Sequence, residues 1–331
     1  VFSLQKKILN YNHKNIYVPK CICLASVHPY IYKFELILKE LYNISKMPKT
    51  RFLDLIIEQL ISTTPKIPRG LKKVCLKINN NIIDLTETKM NELPSVYVNI
   101  KELFSLFRIE QIIDIFRIML FEIKMIFFSS EIKDVTNIIM CFLFLLKPFT
   151  YQYRILSILP KKDYIFLEDE HPCIFGIRES FYDSFFDDNK VDIGDKPVCI
   201  VDIDKKDYTI NGETLSTKDY PLMPKHLKDK LYKRVQELKK NKKIEETNEG
   251  YQEIFFRFMI NLLKDYPKFL KKSFNGNSYK VQEMIDKQGY IKSQSSSDKD
   301  FYEKIINSQM FDEFITKRMM PKDNREKIQE S

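Results

Sequence analysis

The sequence lacks the short motifs on which several enzyme classes depend. It contains no G-x-x-x-x-G-K-[ST] phosphate loop, no G-x-G-x-x-G turn, no H-E-x-x-H pair and no C-x-x-C pair. These motifs bind nucleotide phosphates or zinc, so their absence argues against a P-loop hydrolase, a Rossmann enzyme and a zinc site of these kinds. We therefore expect no cofactor, no metal and no covalent chemistry.

Histidine, glycine and tryptophan are also scarce. The four histidines (His13, His28, His171 and His226) are scattered, and two of them precede prolines, which suits turns better than acid–base catalysis. Seven glycines and 14 prolines among 331 residues exclude collagen-like and Pro/Gly-rich low-complexity chains. With 44% hydrophobic and 13% aromatic residues, the chain can fill the cores of two or three packed units.

The six cysteines lie within apolar runs at positions 21, 23, 75, 141, 173 and 199. Cys21 and Cys23 would point to opposite faces of a strand, which disfavours a shared metal. We interpret all six as small buried hydrophobic residues in a reducing, cytoplasmic protein.

No hydrophobic run is long enough to cross a bilayer. The most apolar run, Ile138 to Leu146, is about half of the roughly 20 residues that a spanning helix needs. We interpret it as a core helix. No secretory signal opens the sequence, and because it begins with Val1 rather than methionine we expect it to be a fragment.

The formal net charge is +9, from 54 Lys and Arg against 45 Asp and Glu. The densest basic stretch, Lys225 to Lys243, holds nine Lys or Arg among nineteen residues. It is either a solvated linker or exposed helix, or a patch that contacts anionic lipid, where each nearby cation contributes about 1 kcal/mol. We predict no nucleic-acid partner.

The N-terminal part has the pattern of a small mixed module. Residues Ile16 to Ala25 have strand composition, and apolar residues at three- and four-residue intervals predict helices from Ile31 to Tyr42 and from Arg51 to Ile61. Alternation of apolar and polar residues between Leu71 and Leu85 predicts two strands.

In the central part, the predicted helices and strands are apolar on nearly every face. We predict a helix from Glu110 to Phe121, a core strand from Lys124 to Ser130, a second helix capped by Ser129 or Ser130, and further strands within 153–160 and 198–204. This order describes a buried mixed sheet covered by helices. Beyond Tyr251 the pattern is helical, and we expect an all-α C-terminal segment.

Two acidic groups follow apolar stretches. Leu167-Glu-Asp-Glu170 and Val201-Asp-Ile-Asp204 place carboxylates where we expect strands to give way to loops, a common place for functional groups. They could serve acid–base chemistry or a cation, or they could be solubilising loop residues.

Several of these segments resemble segments of the DENN domain family, both in amino-acid sequence and in their order along the chain. The N-terminal match is Tyr17-Val-Pro-Lys-Cys-Ile-Cys-Leu24 followed by His28-Pro29-Tyr30. The central match is strongest, and its segments are Leu120 to Ser130, Pro148 to Gln152, Ile158 to Pro160, Phe166 to Glu168, Pro172-Cys-Ile-Phe-Gly176 and Val201 to Asp204. The downstream match comprises Phe255 to Phe258, Ser297 to Phe301 and Gln309 to Phe314. Tyr151 stands where the family usually has tryptophan.

The resemblance implies an α/β protein, α+β overall. It would have a longin-like N-terminal lobe lacking its first strands, a central α/β module with a buried sheet flanked by helices, and an all-α C-terminal segment. The implied boundaries are an upstream segment at 1–70, a central module at 71–220, a basic linker at 221–250 and a downstream helical segment at 251–331. The implied activity is guanine-nucleotide exchange on a Rab-class small GTPase in vesicle trafficking, in a cytoplasmic protein peripheral to vesicle or endosomal membranes.

The resemblance does not by itself identify which residues of this chain would bind the GTPase. We predict the surface between the two lobes, with the partner-binding residues Tyr32, Glu35, Lys39, Glu168, Asp169, Glu170, Asp202 and Asp204. A DENN-fold scaffold or a GTPase-activating subunit stays open as an alternative. An activating subunit would need an exposed arginine directed at the γ-phosphate, for which Arg154 and Arg178 are the candidates.

Overall fold

The structure, a computed structural model, describes residues 2–11, 14–24, 31–46, 54–58, 75–78, 81–84, 98–181, 196–210, 220–240, 246–274 and 281–319. The chain divides into two compact units, residues 1–99 and 100–331. The predicted domain boundaries at 70, 220 and 250 stay predictions.

The first unit is built from two hairpins and a long helix. Its elements are β1 (Phe2–Tyr11), β2 (Lys14–Ile22), α1 (Ile31–Ser45), β3 (Cys75–Ile78) and β4 (Asn81–Asp84), with residues 54–58 also helical. Strand β1 pairs antiparallel with β2, and β3 pairs antiparallel with β4. These elements confirm the predicted β2, α1 and the β3–β4 hairpin; most of the second predicted helix lies outside the described residues.

The core of the first unit forms where α1 meets the β3–β4 hairpin. The buried side chains are Ile37, Leu41, Ile44, Ile78 and Ile83. The three from α1 recur at intervals of three and four residues, so they share one face of the helix. The apolar periodicity of the sequence is therefore the feature that fixes this packing.

The second unit contains the central sheet and most of the helices. Its elements are α2 (Ile100–Leu106), α3 (Ile109–Leu120), β5 (Lys124–Ser129), α4 (Ile132–Leu145), β6 (Arg154–Leu156), β7 (Cys173–Arg178), β8 (Val198–Asp202), β9 (Asp207–Ile210), α5 (Lys225–Lys240), α6 (Asn248–Leu263), β10 (Leu270–Phe274), β11 (Val281–Ile285), α7 (Lys287–Lys292), α8 (Lys299–Ile306) and α9 (Gln309–Met319). Two 3₁₀ segments lie at Lys161–Glu168 and Tyr266–Phe269.

The central sheet has five strands in the order β6-β7-β5-β8-β9. The first four run parallel, and β9 pairs antiparallel with β8. All six residues of β5 are buried, as expected for the middle strand of a parallel sheet covered on both faces. Helix α4 packs on β5 and β7. The predicted buried sheet flanked by helices is confirmed.

Gly176 of β7 occupies a position that has no room for a side chain. A Cβ atom there would lie 2.0 Å from the carbonyl oxygen of Ser157 and 2.6 Å from Val135 Cγ1. The backbone N–H of Leu159 donates a 2.7 Å hydrogen bond to the carbonyl of Gly176. Glycine therefore allows the connection after β6 to lie directly against the sheet.

Aromatic rings hold α6 against α2 and α3. The rings of Phe104 and Tyr251 stack at 4.0 Å, and the rings of Phe116 and Phe255 meet edge to face at 5.1 Å. Such pairs contribute roughly 0.5–1.5 kcal/mol beyond their burial. Helix α5 packs against α3 and α6, so residues 225–240 form a helix with one buried face, and contact of its basic residues with anionic lipid stays a prediction.

The prediction of an all-α C-terminal segment was wrong. Strands β10 and β11 form an antiparallel hairpin in that segment, with Leu270 opposite Ile285. The sequence between them contains Asn275-Gly276, the dipeptide that most strongly favours a tight hairpin turn. The helical periodicity on either side of this stretch masked the signal.

Two smaller predictions also need correction. Helix α4 has Glu131 rather than a serine at its N-cap, and the Ser129 hydroxyl accepts a 3.1 Å hydrogen bond from the Glu131 N–H instead. Cys23, which follows β2, and Cys75, the first residue of β3, are exposed rather than buried. No helix in the described ranges is both long enough and apolar enough to cross a bilayer.

Candidate functional site

The amino edge of the parallel sheet is organised by Lys124, the first residue of β5. Its side chain is buried, and its ammonium donates hydrogen bonds to the carbonyl oxygen of Leu167 and, at 3.0 Å, to that of Asp169. Burial lowers the pKa of Lys124. The lysine thereby fixes the segment before β7 to the central strand, a contact between residues more than forty positions apart.

Asp169 holds the same segment from outside. Its carboxylate accepts a 3.0 Å hydrogen bond from the backbone N–H of His171, lies 2.8 Å from the His171 ring and pairs with Arg154 at 3.6 Å. The hydrogen bonds from His171 hold the pKa of Asp169 below its usual range. Asp169 therefore shapes the loop, and its charge is largely compensated.

The two neighbouring carboxylates differ in how much they are engaged. Glu170 pairs with Lys196 at 3.2 Å, although both side chains are mostly exposed. Glu168 is exposed and has no ion pair among the described residues. Of the three acidic residues in this loop, Glu168 is the one best placed to meet a partner's cation.

Two apolar side chains beside this loop are also exposed. Tyr164 is 41% exposed and Ile165 is 63% exposed, whereas Leu167 of the same 3₁₀ segment is fully buried. Sequence reasoning missed Tyr164 and Ile165. The run Tyr-Ile-Phe-Leu is recognisably apolar, but the sequence does not show which of its members stay exposed. The segment presents two neighbouring apolar side chains close to the exposed carboxylate of Glu168.

The carboxyl edge of the sheet carries the second acidic group. The Asp204 carboxylate accepts hydrogen bonds of 2.7 Å from the Ser129 hydroxyl and 2.7 Å from the Ser130 N–H. Burial acts to raise the pKa of Asp204, but these hydrogen bonds outweigh it and hold the pKa below its ordinary value. Asp204 therefore joins the ends of β5 and β8, where helix α4 begins.

Asp202 shapes the turn between β8 and β9. Its carboxylate accepts a 2.9 Å hydrogen bond from the Lys205 N–H and pairs with the Lys205 ammonium at 3.1 Å. Lys206 has a positive φ of 57°, and its carbonyl accepts a 2.9 Å hydrogen bond from Gln111 of α3. Asp202 and Asp204 thus have structural roles; a contact of either with a GTPase stays a prediction.

The structure keeps these two acidic groups apart. Residues 168–170 come before β7 and contact the first residue of β5, whereas Asp204 follows β8 and contacts the last residue of β5. Five steps of about 3.3 Å separate Lys124 from Ser129, so the groups lie roughly 16 Å apart. Each group is assembled by the fold, but they belong to opposite edges of the sheet.

The remaining predicted residues lie in the first unit or on the strands. Tyr32, Glu35 and Lys39 belong to α1, where Glu35 and Lys39 form a 3.0 Å ion pair. Arg154 covers the ring of Phe166 at 4.6 Å, whereas Arg178 is exposed at the carboxyl end of β7. Within the described ranges, no group of three or more His, Cys, Asp or Glu residues is arranged to hold a metal ion.

Comparison with known protein families finds two domain matches in this chain. The DENN (AEX-3) domain matches residues 17–206, and the dDENN domain matches residues 286–329. Both matches fall in the order in which the DENN-like segments occur in the sequence.

Two curated relatives carry the same domain name. DENN domain-containing protein 3 of Mus musculus is 21% identical over 328 residues, which cover 92% of this chain and 25% of the relative. DENN domain-containing protein C297.05 of Schizosaccharomyces pombe (strain 972 / ATCC 24843) is 23% identical over 219 residues, which cover 61% of this chain and 22% of the relative. The chain thus spans about a quarter of the length of these relatives.

The first match alone covers more than half of the chain, and it includes the central strand β5 and both acidic groups at the edges of the sheet. The chain therefore belongs to the DENN domain family.

Proposed function

We propose that this chain is a guanine-nucleotide exchange factor for a Rab-type small GTPase. It would promote GDP release in membrane trafficking, from the cytoplasmic side of vesicle or endosomal membranes. The observation that carries the proposal is the presence of a DENN domain at 17–206 and a dDENN domain at 286–329 in one chain, since this family is generally associated with exchange on Rab proteins.

This activity does not require a cluster of catalytic residues. An exchange factor binds the nucleotide-free GTPase more tightly than the loaded form, and by linkage it weakens nucleotide binding by the same factor. A 10⁴-fold preference corresponds to about 5.5 kcal/mol of differential contact. The GTPase switch segments can order and disorder, so ordinary interface contacts with them are sufficient.

Within the second unit, the proposed contact surface is the loop of residues 164–170. It combines the exposed apolar side chains of Tyr164 and Ile165 with the free carboxylate of Glu168. Lys124 holds the loop from within and Asp169 holds it from outside, so the surface is preorganised and loses little conformational freedom on binding. Tyr32, Glu35 and Lys39 of the first unit are proposed as a second contact.

The test is release of a fluorescent GDP analogue from a panel of Rab proteins, with excess unlabelled nucleotide and increasing amounts of this chain. We expect accelerated release from one or a few members. Glu168→Lys and Ile165→Ala should each lower the exchange rate several-fold, whereas Glu237→Lys, the same charge change on the exposed side of α5, should not. If no Rab protein releases its nucleotide faster with this chain or with the full-length protein, exchange activity is excluded.

The alternative is a scaffold or a GTPase-activating subunit. The exposed position of Arg178 at the carboxyl end of β7 favours testing activation as well as exchange. Acceleration of GTP hydrolysis that Arg178→Ala abolishes, without acceleration of GDP release, would identify an activating subunit. Equal binding to GDP-loaded and empty GTPase would identify a scaffold.

A further inference from the structure

A groove of about 240 Å³ runs between helices α5 and α6. Its floor is apolar and its rim is basic. The floor is formed by Leu227 and Leu231 of α5 with Ile254 and Phe258 of α6. Leu227, Leu231 and Phe258 are each at most 5% exposed, whereas Ile254 is half-buried and Ile260, which also lines the groove, is 51% exposed, so these two isoleucines provide most of the accessible apolar surface.

The rim carries cations from both helices. Lys230 and Arg234 stand one helical turn apart on α5, and Arg257 faces them from α6. Arg257 is paired with Glu253 at 2.6 Å, which compensates part of its charge. Lys230 and Arg234 are exposed and have no ion pair within the described residues. Two uncompensated cations therefore border the apolar floor.

The other cations of α5 are placed differently. Lys228 faces Asp114 at 3.9 Å, and Lys239 donates a 2.7 Å hydrogen bond to the carbonyl oxygen of Phe104, so both are engaged within the fold. The exposed side opposite the buried residues carries Lys225, Lys233 and Lys240 together with Asp229 and Glu237, so its net charge is only +1. Lys230 and Arg234 are the cations of α5 that line the groove.

We propose that this groove binds an acidic amphipathic helix of a partner protein. The apolar face of such a helix would pack on Ile254 and Ile260, and carboxylates on its flanks would pair with Lys230 and Arg234. Helix-in-groove recognition of this kind uses apolar anchors at i, i+3/i+4 and i+7. The proposal does not depend on exchange activity, because it uses neither the loop of residues 164–170 nor α1.

The shape of the site favours a peptide over a membrane. A membrane surface is met best by cations on one exposed face with apolar side chains that project from it. Here most of the apolar side chains form a recessed floor, and the exposed side of α5 carries two carboxylates among its three lysines. A recess with a charged rim instead suits side chains inserted from a narrow helix.

The experiment is a display selection of helical peptides of random sequence on the intact chain, followed by affinity measurements. We expect the enriched peptides to combine apolar residues at helical spacing with Asp or Glu on the flanks. The Lys230→Glu/Arg234→Glu variant should weaken their binding at least tenfold. The matched control Lys233→Glu/Lys240→Glu makes the same charge change on the same helix and should leave binding within about twofold.

A charge exchange separates loss of the site from loss of the fold. Peptides resynthesised with Lys in place of Glu should bind the Lys230→Glu/Arg234→Glu variant more tightly than they bind the original chain. Vesicles of phosphatidylcholine with phosphatidylserine provide the membrane arm. Selection of no acidic amphipathic peptide, equal peptide binding by both double variants, or vesicle binding lost only in the Lys230→Glu/Arg234→Glu variant would each overturn the proposal.

Discussion

Ser129 and Asp204, which are 75 positions apart in the sequence, are joined by a 2.7 Å hydrogen bond from the serine hydroxyl to the carboxylate. The bond joins the carboxyl ends of β5 and β8. From β5 the chain continues to β6 at one end of the strand order, and from β8 it continues to β9 at the other end. Asp204 also accepts the N–H of Ser130 immediately before α4, and so one carboxylate organises two strands and the approach to a helix.

Asp204→Asn should lower the free energy of unfolding by about 1 kcal/mol, since Asp204 is exposed and a hydrogen bond at such a site contributes modestly. Because the pKa of Asp204 is lowered in the folded state, its contribution is present above the ordinary pKa of about 4 and is lost as pH falls through the folded value. Urea unfolding of both proteins between neutral and acid pH measures this difference. A difference that stays constant as pH falls would show that the charge of Asp204 is not involved.

Glu122→Ala should destabilise the start of α9. The buried Glu122 carboxylate accepts hydrogen bonds from the N–H groups of Gln309 (2.9 Å) and Met310 (2.7 Å), which have no partner inside the helix. We expect a loss of about 2–3 kcal/mol, measured by urea unfolding, with faster amide exchange at residues 309–311. Glu122→Gln retains an acceptor oxygen and should cost less.

The pH dependence of the Glu122 contribution has the opposite sign to that of Asp204. Burial raises the pKa of Glu122, and the hydrogen bonds from Gln309 and Met310 oppose this only partly. The folded state therefore holds the proton more tightly, and the contribution of Glu122 declines as pH rises from about 4.5 through the folded pKa. Glu122→Gln should remove this decline; an unchanged profile would contradict the assignment.

Gly176→Ala should be among the most damaging single-methyl changes in the second unit. The added Cβ would meet the Ser157 carbonyl at 2.0 Å, and backbone atoms on both sides cannot move independently of the sheet. We expect a loss of more than about 2 kcal/mol, or failure to fold. In the matched change Gly250→Ala the Cβ meets the mobile end of the Leu238 side chain at 3.0 Å, so we expect an effect within about 1 kcal/mol. Comparable effects at both positions would show that the contact at Gly176 is not the cause.

Lys124→Met should release the loop that precedes β7. The carbonyl groups of Leu167 and Asp169 would lose their donor, at a cost of about 2 kcal/mol, and amide exchange across residues 165–171 should accelerate. Since burial lowers the pKa of Lys124, the original protein should also gain stability as pH rises through the folded pKa toward 10.5, and the variant should not. Unchanged amide exchange in this loop would show that Lys124 does not hold it.

The elements that the sequence predicted correctly are those whose signal is local. The strand Lys124–Ser129 is recognisable because all of its residues are buried, and helix α4 is recognisable because one whole face is buried. In the β3–β4 hairpin, apolar and polar residues alternate on both sides of an asparagine run. Local periodicity reports burial directly. These predictions needed no knowledge of distant contacts.

The features that could not be predicted depend on strand direction or on distant partners. Whether an acidic loop precedes or follows a parallel strand decides which edge of the sheet it occupies, and composition alone does not reveal this for Glu168 and Asp204. Glu122 contacts residues 187 and 188 positions away, and no pattern around Glu122 marks that pairing. The exposed Tyr164 and Ile165 were missed for the same reason, because only the packed structure shows which members of an apolar run remain outside.

The distribution of cysteines between the two units provides a chemical means of observing each unit separately. Cys23 and Cys75 of the first unit are exposed, whereas Cys141, Cys173 and Cys199 of the second are buried. Burial raises the pKa of all three buried thiols, that of Cys173 to about 12, so little reactive thiolate is present while the second unit is folded. A thiol reagent should therefore modify the first unit at once and the second only as fast as its core opens, which makes the labelling rate a direct measure of that opening.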